Sequence, residues 1–300
     1  MVRGDFRILY LTALLIFGFL ASCQKNDLKP GIPSFIEVST LDLQTDYSIQ
    51  GTDSQKITDV WVYVDDQSIG AFEISEKPAI IPILKEGIGT LRLEAGIKIN
   101  GISATRIPNP FYKPIIIENF NFVPDSIIQV SGTTTYWETV TFVWMEDFEG
   151  VSISVDTTSK SKADMVLTPS GTDLTFEGSH SGRIILDEDH DLYEGASFEA
   201  FELPTDGTPV VLEMNYKTNN MFTVGIFAQT ASQIIQDPLI YLNPKDEWNK
   251  IYINLTNKLW QTSDDVIDFK IFFGAVLQTD VTEAEILIDN IKLIYRKNYK

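Results

Sequence analysis

Short runs in which apolar and polar residues alternate recur along most of the chain, and turn-forming residues separate them. Typical runs read "DVWVYVD", "TLRLEAGIKI", "TVTFVWM", "VVLEMNY" and "DFKIFFGAVL". A period of two, with enrichment in Ile, Val, Phe, Tyr and Thr, predicts half-buried β-strands. Helical periodicity is scarce. The pattern therefore predicts an all-β protein built from sandwiches.

Proline residues divide these runs into two groups. The hairpins up to about residue 112 suffice for one small sandwich that resembles an immunoglobulin-like domain. Pro108, Pro110 and Pro114 follow, and the segment "KPIIIENFNFVPDS" is expected to cross between domains. Chain length also favours two domains of about 100–200 residues each. We predict a first domain over 34–135, with its connecting segment, and a second over 136–300.

The first 22 residues have the pattern of a secretory signal peptide. Arg3 and Arg7 outweigh Asp5, and residues 8–20 carry no charge. That run is too short to cross a hydrocarbon core, which needs about 20 apolar residues, but it suits the hydrophobic region of a signal peptide. No other segment is apolar enough to span a membrane. The chain is therefore expected to be exported.

The only cysteine, Cys23, directly follows the segment "LAS" at the end of this run. The arrangement resembles the lipobox of bacterial lipoproteins. That resemblance implies that the Cys23 thiol receives a diacylglycerol and that cleavage makes Cys23 the mature N-terminus. The alternative is an incidental apolar residue, since free cysteine packs as a small hydrophobe. With no second cysteine, the exported chain has no intrachain disulfide, Cys-ligated zinc site or cysteine nucleophile.

A polar tether over 23–33 follows. Its start, Gln24, Lys25, Asn26 and Asp27, resembles the Lys-then-acidic tag that sends Bacteroidetes lipoproteins to the outer face of the outer membrane. Asn26 departs from that pattern, because an acidic residue is usual there. The resemblance implies a lipid-anchored, surface-exposed protein. Retention in the periplasm, or a tether that is merely solvated, stays open.

The acidic composition excludes one large class of partner. The formal net charge is −19 with a sequence pI near 4.4, and removing the signal peptide makes the chain one unit more negative. Such a chain repels nucleic-acid phosphates, which are bound through Lys and Arg, so no nucleic-acid partner is expected. Residues are 44 % hydrophobic and 11 % aromatic, which indicates a folded protein.

Three segments of the second domain, "MEDFEG", "TFEGSHSGRIILD" and "AEILIDNIKLIY", resemble carbohydrate-binding modules and galactose-binding-like domains over 145–296. The resemblance implies a jelly-roll fold. It also implies a structural calcium held by the carboxylates of Glu149 and Asp289 and a carbonyl near Ser181, since calcium prefers oxygen ligands. The alternative is that Glu149 caps a turn and Asp289 lies solvated on a strand.

Sugar recognition calls for an exposed aromatic ring beside polar hydrogen-bonding groups. Trp260 is the first candidate, because polar residues flank it in "NKLWQTSDD", and Tyr193 and Tyr241 are further candidates. The alternative for Trp260 is a half-buried packing residue. Two triplets, with acceptors Ser126 and Thr157, resemble the O-glycosylation motif of exported Bacteroidetes proteins, a pattern that also recurs by chance.

No catalytic residue is assigned, because no G-x-S-x-G, H-E-x-x-H or phosphate-binding glycine loop occurs. Two hypotheses on function follow. The first is a non-catalytic surface lipoprotein that binds glycan near an uptake system. The second is an accessory interaction subunit of an outer-membrane machine for secretion, assembly or uptake, without glycan specificity. An open groove with exposed aromatic rings favours the first, and a flat apolar patch favours the second.

Overall fold

A computed structural model describes residues 31–297. The predicted signal peptide (1–22), the lipid-attachment residue Cys23 and the export tag (24–27) lie outside the described residues. Within them the all-β prediction is confirmed, since nearly all regular structure is strand. Neither helix of residues 31–297 is long and apolar enough to cross a membrane.

The elements follow one another in chain order. The first eight strands, with one helical turn, are β1 (Ser34–Leu43), α1 (Tyr47–Gln50), β2 (Asp59–Val64), β3 (Gln67–Glu73), β4 (Ala79–Ile83), β5 (Gly87–Lys98), β6 (Arg106–Pro108), β7 (Ile115–Phe122) and β8 (Ile127–Thr134). The remaining elements are β9 (Val140–Glu146), β10 (Val155–Thr157), β11 (Met165–Leu167), β12 (Gly182–Leu186), β13 (Leu192–Ser197), β14 (Val210–Thr218), β15 (Phe222–Thr230), β16 (Ile234–Leu242), β17 (Lys245–Asn254), α2 (Thr256–Trp260), β18 (Val266–Val276) and β19 (Ala284–Arg296).

The first eight strands form two sheets. One has the order β4-β1-β8, with β1 and β8 parallel, and the other has the order β3-β2-β5-β6, with β7 also paired to β5. In "DVWVYV" the three valines are buried and Trp61 and Tyr63 are half-buried, as the alternation predicts. The strands thus enclose an apolar core between the sheets. The immunoglobulin-like assignment stays a prediction.

The later strands form a second, jelly-roll sandwich. A five-stranded sheet has the order β10-β13-β18-β15-β16, and a second sheet has the order β11-β12-β19-β14-β17, with β9 also paired to β19. Pairing is antiparallel throughout, and successive strands pass repeatedly from one sheet to the other. The predicted boundary near residue 135 lies between β8 and β9, and its position stays a prediction.

The two sandwiches share buried residues. Val211, Tyr252 and Ile294, which belong to the second sheet of the jelly roll, pack in the core cluster of the first eight strands. As a result β14 is buried on both faces, although its sequence "VVLEMNY" alternates as a half-exposed strand would. The face that the pattern predicts to meet solvent instead meets the other half of the protein.

Charged side chains are buried where the halves meet. Glu213, Lys250 and Lys292 are each at most 6 % exposed. The ammonium of Lys250 lies 3.3 Å from the Glu213 carboxylate, and Lys292 Nζ donates to the Thr52 carbonyl at 2.5 Å. Tyr136 Oη also donates to Glu213, at 3.3 Å. Buried charges need such partners, so these contacts fix how the two halves meet.

Candidate functional site

The outer face of the five-stranded sheet forms a cleft. On β18, Phe269, Ile271 and Phe273 point into the core, so Lys270 and Phe272, which alternate with them, point outward. The paired positions of the neighbouring strands point outward as well. The face is therefore lined by residues from β10, β13, β15, β16 and β18.

A hydrogen bond across this sheet shows that the face is concave. Glu194 lies on β13 and Gln236 on β16, two strands that β18 and β15 separate. Their backbones would stand at least about 14 Å apart in a flat sheet, since neighbouring strands are about 4.8 Å apart. Gln236 Nε2 nevertheless donates to Glu194 Oε2 at 2.7 Å. The sheet must curve and twist toward these side chains for them to meet.

The floor of the cleft is aromatic and close-packed. The rings of Phe227 and Phe272 stack with centroids 4.9 Å apart. Phe272 is only 2 % exposed, so the half-buried Phe227 is the ring of this pair that a ligand would contact. Phe272 lies over Gly225, where an added Cβ would meet the ring at 2.4 Å and the Asp237 carbonyl oxygen at 2.5 Å. Only glycine leaves room for the ring here, and a glycine inside a strand often marks such a close approach. The position of the Phe272 ring in the floor thus depends on the glycine beneath it.

Polar groups bridge the cleft above that floor. The Glu194 carboxylate is 8 % exposed and accepts a hydrogen bond from Thr158 Oγ1 at 2.8 Å as well as from Gln236. Lys160 Nζ lies 3.5 Å from Glu194 Oε1 and donates to Gln236 Oε1 at 3.4 Å. Carboxylate, amide, hydroxyl and ammonium groups are the donors and acceptors that sugar hydroxyls need.

Two pockets lie along the cleft, and both include Gln236. The larger, of about 540 Å³, lies on the side of Lys160, Phe227 and Lys270. The other, of about 320 Å³, lies on the side of Glu194 and Tyr241. The volumes suit small ligands of a few hundred Å³, or short stretches of a longer chain.

The structure separates the three predicted ligand-binding aromatics. Tyr193 is 1 % exposed, so the prediction of a Tyr193 platform is wrong: it lies opposite Ala275 in the register and points into the core. Tyr241 is 61 % exposed and lines the cleft. Trp260 is 65 % exposed at the end of α2, but it lines neither pocket of the cleft. Sugar binding by Tyr241 and Trp260 stays a prediction.

The residues of the predicted calcium site contact one loop, over 177–181. Glu149 Oε1 accepts hydrogen bonds from the backbone N–H groups of Ser179 and His180, at 2.7 and 2.9 Å. Asp289 Oδ2 accepts one from Ser181 Oγ at 2.6 Å. The Ser181 carbonyl in turn accepts from the Thr168 N–H at 2.9 Å. The proposed ligand oxygens therefore already serve protein donors.

The surroundings of these oxygens favour hydrogen bonding within the protein over calcium binding. In residues 31–297 no group of three or more His, Cys, Asp or Glu side chains is arranged to hold a metal. Burial also opposes ionisation of Asp289 and raises the pKa of its carboxyl to about 7, against the hydrogen bonds from Ser181 and the backbone. The calcium site stays a prediction, and the contacts favour a structural role for both carboxylates.

The three segments that carry the family resemblance meet at this same loop. Phe148 is buried with φ +58°, and Asn290 has φ +53°. Asn290 interrupts β19, which pairs with β12 before it and with β9 after it. Asn290 Nδ2 donates to Glu177 Oε2 at 3.1 Å. These motifs therefore hold the loop over 177–181 against the irregular position at Asn290 in β19.

The predicted glycosylation acceptors have different surroundings. Ser126 Oγ donates to the Val123 carbonyl at 2.6 Å in the turn before β8. Thr157 is exposed on β10 and lines the larger pocket of the cleft. Glycosylation at either position stays a prediction.

Sequence reasoning missed the residues that build the cleft, chiefly Glu194, Gln236 and the two phenylalanines. Two signals were present. Gly225 and Gly274 interrupt the strands "FTVGIFAQ" and "DFKIFFGAVL", and glycine inside a strand marks a close approach. Glu194 also stands alone among apolar neighbours in β13. What the sequence did not contain was the strand order that brings β13 and β16 to one face.

Comparisons with known proteins give distant structural similarity. No family model and no curated protein matches this sequence. A solved structure described as a xylan-binding domain from CBM 22 is 13 % identical, covering 52 % of this chain and 95 % of that chain, with a TM-score of 0.37. A family 11 carbohydrate-binding module from Clostridium thermocellum, in complex with a β-1,3-1,4-mixed-linked tetrasaccharide, is 15 % identical, covering 51 % and 96 %, with a TM-score of 0.35.

A third structure comes from work on the promiscuous specificity of carbohydrate-binding modules from the β-sandwich superfamily. It is 12 % identical and covers 78 % of this chain and 84 % of that chain, with a TM-score of 0.37. Similarity at this level assigns neither a function nor a ligand to this chain.

Proposed function

We propose that this protein is a non-catalytic, lipid-anchored binding protein of the outer-membrane surface, and that it holds a glycan in the cleft of the five-stranded sheet near an uptake system. The observation that carries the proposal is the hydrogen bond from Gln236 to Glu194 across the sheet. It accompanies a concave face with an aromatic floor and polar walls. Sugars present apolar ring faces and many hydroxyls, which such a surface complements.

The anchoring part rests on sequence outside the described residues. Cys23 behind a short hydrophobic run supports acylation, and residues 24–27 support transport to the cell surface. Replacing Lys25 and Asp27 with Ala should lower protease accessibility on intact cells without lowering lipidation. Equal protease accessibility of the variant and the parent would show that Lys25 and Asp27 do not direct the protein to the cell surface.

Glycan binding is tested by affinity electrophoresis of the full mature chain in gels containing xylan, β-1,3-1,4-glucan, galactomannan or polygalacturonate. The parent should be retarded by at least one gel, and Gln236→Ala should lose that retardation, because it removes the group that reaches across the cleft. Gln236 is exposed, so the melting temperature should change little.

Gln129→Ala is a matched control. Gln129 is an exposed glutamine on β8, and its Nε2 lies 3.5 Å from a carboxylate oxygen of Glu37 on the neighbouring strand. The Gln129→Ala variant loses the same carboxamide side chain, but from a sheet outside the jelly roll, and it should migrate like the parent. A parent that no gel retards, or equal losses in the two variants, would refute the proposal.

One observation favours the alternative, an interaction subunit of an outer-membrane complex. Ile80, Leu84 and Ile127 are more than half exposed, and Ile80 and Ile127 belong to the sheet β4-β1-β8. Exposed apolar patches often mark protein interfaces. Leu84→Asp should then reduce co-purification with an outer-membrane protein, whereas Gln236→Ala should not. The opposite pattern would reject this alternative.

A further inference from the structure

A third pocket, of about 230 Å³, lies between the N-terminal strands and the jelly roll. Four lysines line it: Lys56, Lys98, Lys245 and Lys250. No aspartate or glutamate is among its lining residues in the described part of the chain. The protein as a whole has 42 acidic and 23 basic residues, so a basic pocket runs against its overall charge.

Two of these lysines already have a carboxylate partner. Lys98 Nζ lies 3.1 Å from Glu73, which also pairs with Arg106. Lys250 pairs with the buried Glu213 at 3.3 Å. Their charges are therefore largely compensated by groups outside the pocket.

Lys56 and Lys245 have no ion pair within residues 31–297. Lys56 Nζ donates to Asn249 Oδ1, a neutral group, at 2.5 Å. Burial lowers the pKa of Lys56 from its ordinary value, and the charges of Lys245 and Lys98 lower it further. Two lysines that repel one another and have no ion-pair partner among these residues leave an excess of positive charge, which attracts an anion.

The pocket adjoins the cleft. Tyr241 lines both the basic pocket and the smaller pocket of the cleft, and Ile240 and Leu242 beside it on β16 also line the basic pocket. A ligand that extends along the cleft past Tyr241 would reach Lys56 and Lys245. Asn249, whose oxygen accepts from Lys56, also lines this pocket, and its amide N–H groups are of the kind that donate to sugar hydroxyls.

We infer that the basic pocket binds the carboxylate or sulfate group of an acidic sugar, in a glycan whose neighbouring residues occupy the cleft. This inference rests on the proposed glycan-binding function. It narrows the ligand class to acidic glycans, and it gives Lys56 and Lys245 the role of anion-binding residues. Tyr241 lies between the cleft, which would hold the neighbouring sugars, and the basic pocket, which would hold the acidic group.

The test is an NMR titration of the full mature chain carrying 13C-labelled lysine. Glucuronate, glucose 6-sulfate, glucose and inorganic sulfate are added at constant ionic strength, and the ε-carbon signals of Lys56 and Lys245 are followed. Glucuronate or glucose 6-sulfate should give saturable shifts at both lysines, and glucose at equal concentration should give none. The arms with the two acidic sugars distinguish a carboxylate from a sulfate.

Lys56→Gln and Lys245→Gln should each weaken binding of the acidic sugar about fivefold, the effect of removing one charge about 4 Å away in a solvated site. Lys77→Gln makes the same charge change at an exposed lysine outside the pocket and should leave binding unchanged. Because Lys245 is exposed, its variant should fold even if substitution at Lys56 disturbs the interface.

Three results would overturn the inference. Equal shifts with glucose would show that charge is not recognised, and unchanged affinity in both pocket variants would place the anion elsewhere. Equal affinity for inorganic sulfate and glucose 6-sulfate would show that the sugar contributes nothing. Gel retardation tests the proposed function, and the titration tests the basic pocket. A parent that binds glucuronate in the titration but is retarded by no polysaccharide gel would therefore refute the proposed function and leave the anion site standing.

Discussion

Replacing Asp289 with Asn should change how the stability of the protein depends on pH. The Asp289 side chain is 1 % exposed. Its Oδ2 accepts a hydrogen bond from Ser181 Oγ at 2.6 Å, and its Oδ1 accepts one from the Asn290 N–H at 2.7 Å. These bonds favour the carboxylate, but burial outweighs them, and the charge of Glu177 adds to burial. The pKa of Asp289 therefore rises to about 7 from an ordinary value of 3.8.

The sign and the size follow from proton linkage. Between the ordinary pKa and about 7 the native state binds more protons at Asp289 than the unfolded state does, so the free energy of unfolding falls as pH rises. The contribution is fully present below the unfolded pKa and is lost as pH passes through the folded one. At 1.36 kcal/mol for each unit of pKa, the rise of the Asp289 pKa from 3.8 to about 7 amounts to at most about 4 kcal/mol.

The assay is urea unfolding of the parent, Asp289→Asn and Asp173→Asn between about pH 4 and pH 8. Asn cannot ionise, but its amide N–H groups face donors, which costs about 1–3 kcal/mol at every pH. Asp289→Asn should therefore start less stable than the parent, and the gap should close or reverse by pH 8. Asp173 is an exposed loop aspartate, so its variant should follow the parent.

A constant difference between Asp289→Asn and the parent across this range would refute the reasoning. It would mean that Asp289 is ionised in the native state throughout, with its hydrogen bonds, rather than burial, setting its pKa. A bound cation beside the carboxylate would give the same constant difference, and a chelator would then restore the pH dependence. The absence of a chelator effect would leave the hydrogen bonds as the cause.

Four further predictions concern the anchor, the metal, the cleft floor and the surface tryptophan. Cys23→Ala should abolish incorporation of a fatty-acid probe, and persisting incorporation would end the lipoprotein proposal. A chelator should leave the melting temperature of the parent unchanged at neutral pH, because protein donors already contact the predicted ligand oxygens; a fall in melting temperature would support the calcium site. Gly225→Ala should cost about 1–3 kcal/mol in urea unfolding, since its Cβ meets the Phe272 ring and a backbone carbonyl. Trp260→Ala should change the free energy of unfolding by less than about 0.5 kcal/mol because the ring is exposed, whereas a loss of about 3–5 kcal/mol would show a core residue.

Burying charged groups between the two halves has a cost in stability. Removing water from Glu213, Lys250 and Lys292 is unfavourable, and their mutual contacts offset that cost only in this arrangement. Burial is the main reason that the pKa of Lys292 falls to about 8, although Glu213 opposes the change. The basic pocket lies at the edge of this interface, so both halves of the protein contribute its lysines.

The alternating pattern by itself determined that the protein is built from β-strands. It also determined which side of most strands faces a core, because side chains alternate across a strand whatever its neighbours are. The valines of "DVWVYV" are buried as the alternation predicts, and Phe269 and Phe273 of β18 alternate onto the core side. In β13 the structure places Tyr193 on the core side and Glu194 on the cleft side, and a strand this short does not fix its phase from sequence alone.

Strand order was decided only by the tertiary structure. Glu194 and Gln236 are 42 residues apart, and nothing local to either residue specifies that β13 and β16 curve around one face. The same holds for β14, whose polar side is buried because another part of the chain covers it. Lys56 and Lys245 meet for the same reason. The local pattern of apolar and polar residues distinguishes the two faces of a strand. Which part of the chain packs on each face depends on contacts between residues distant in sequence. The cleft and the basic pocket therefore could not be predicted from the pattern.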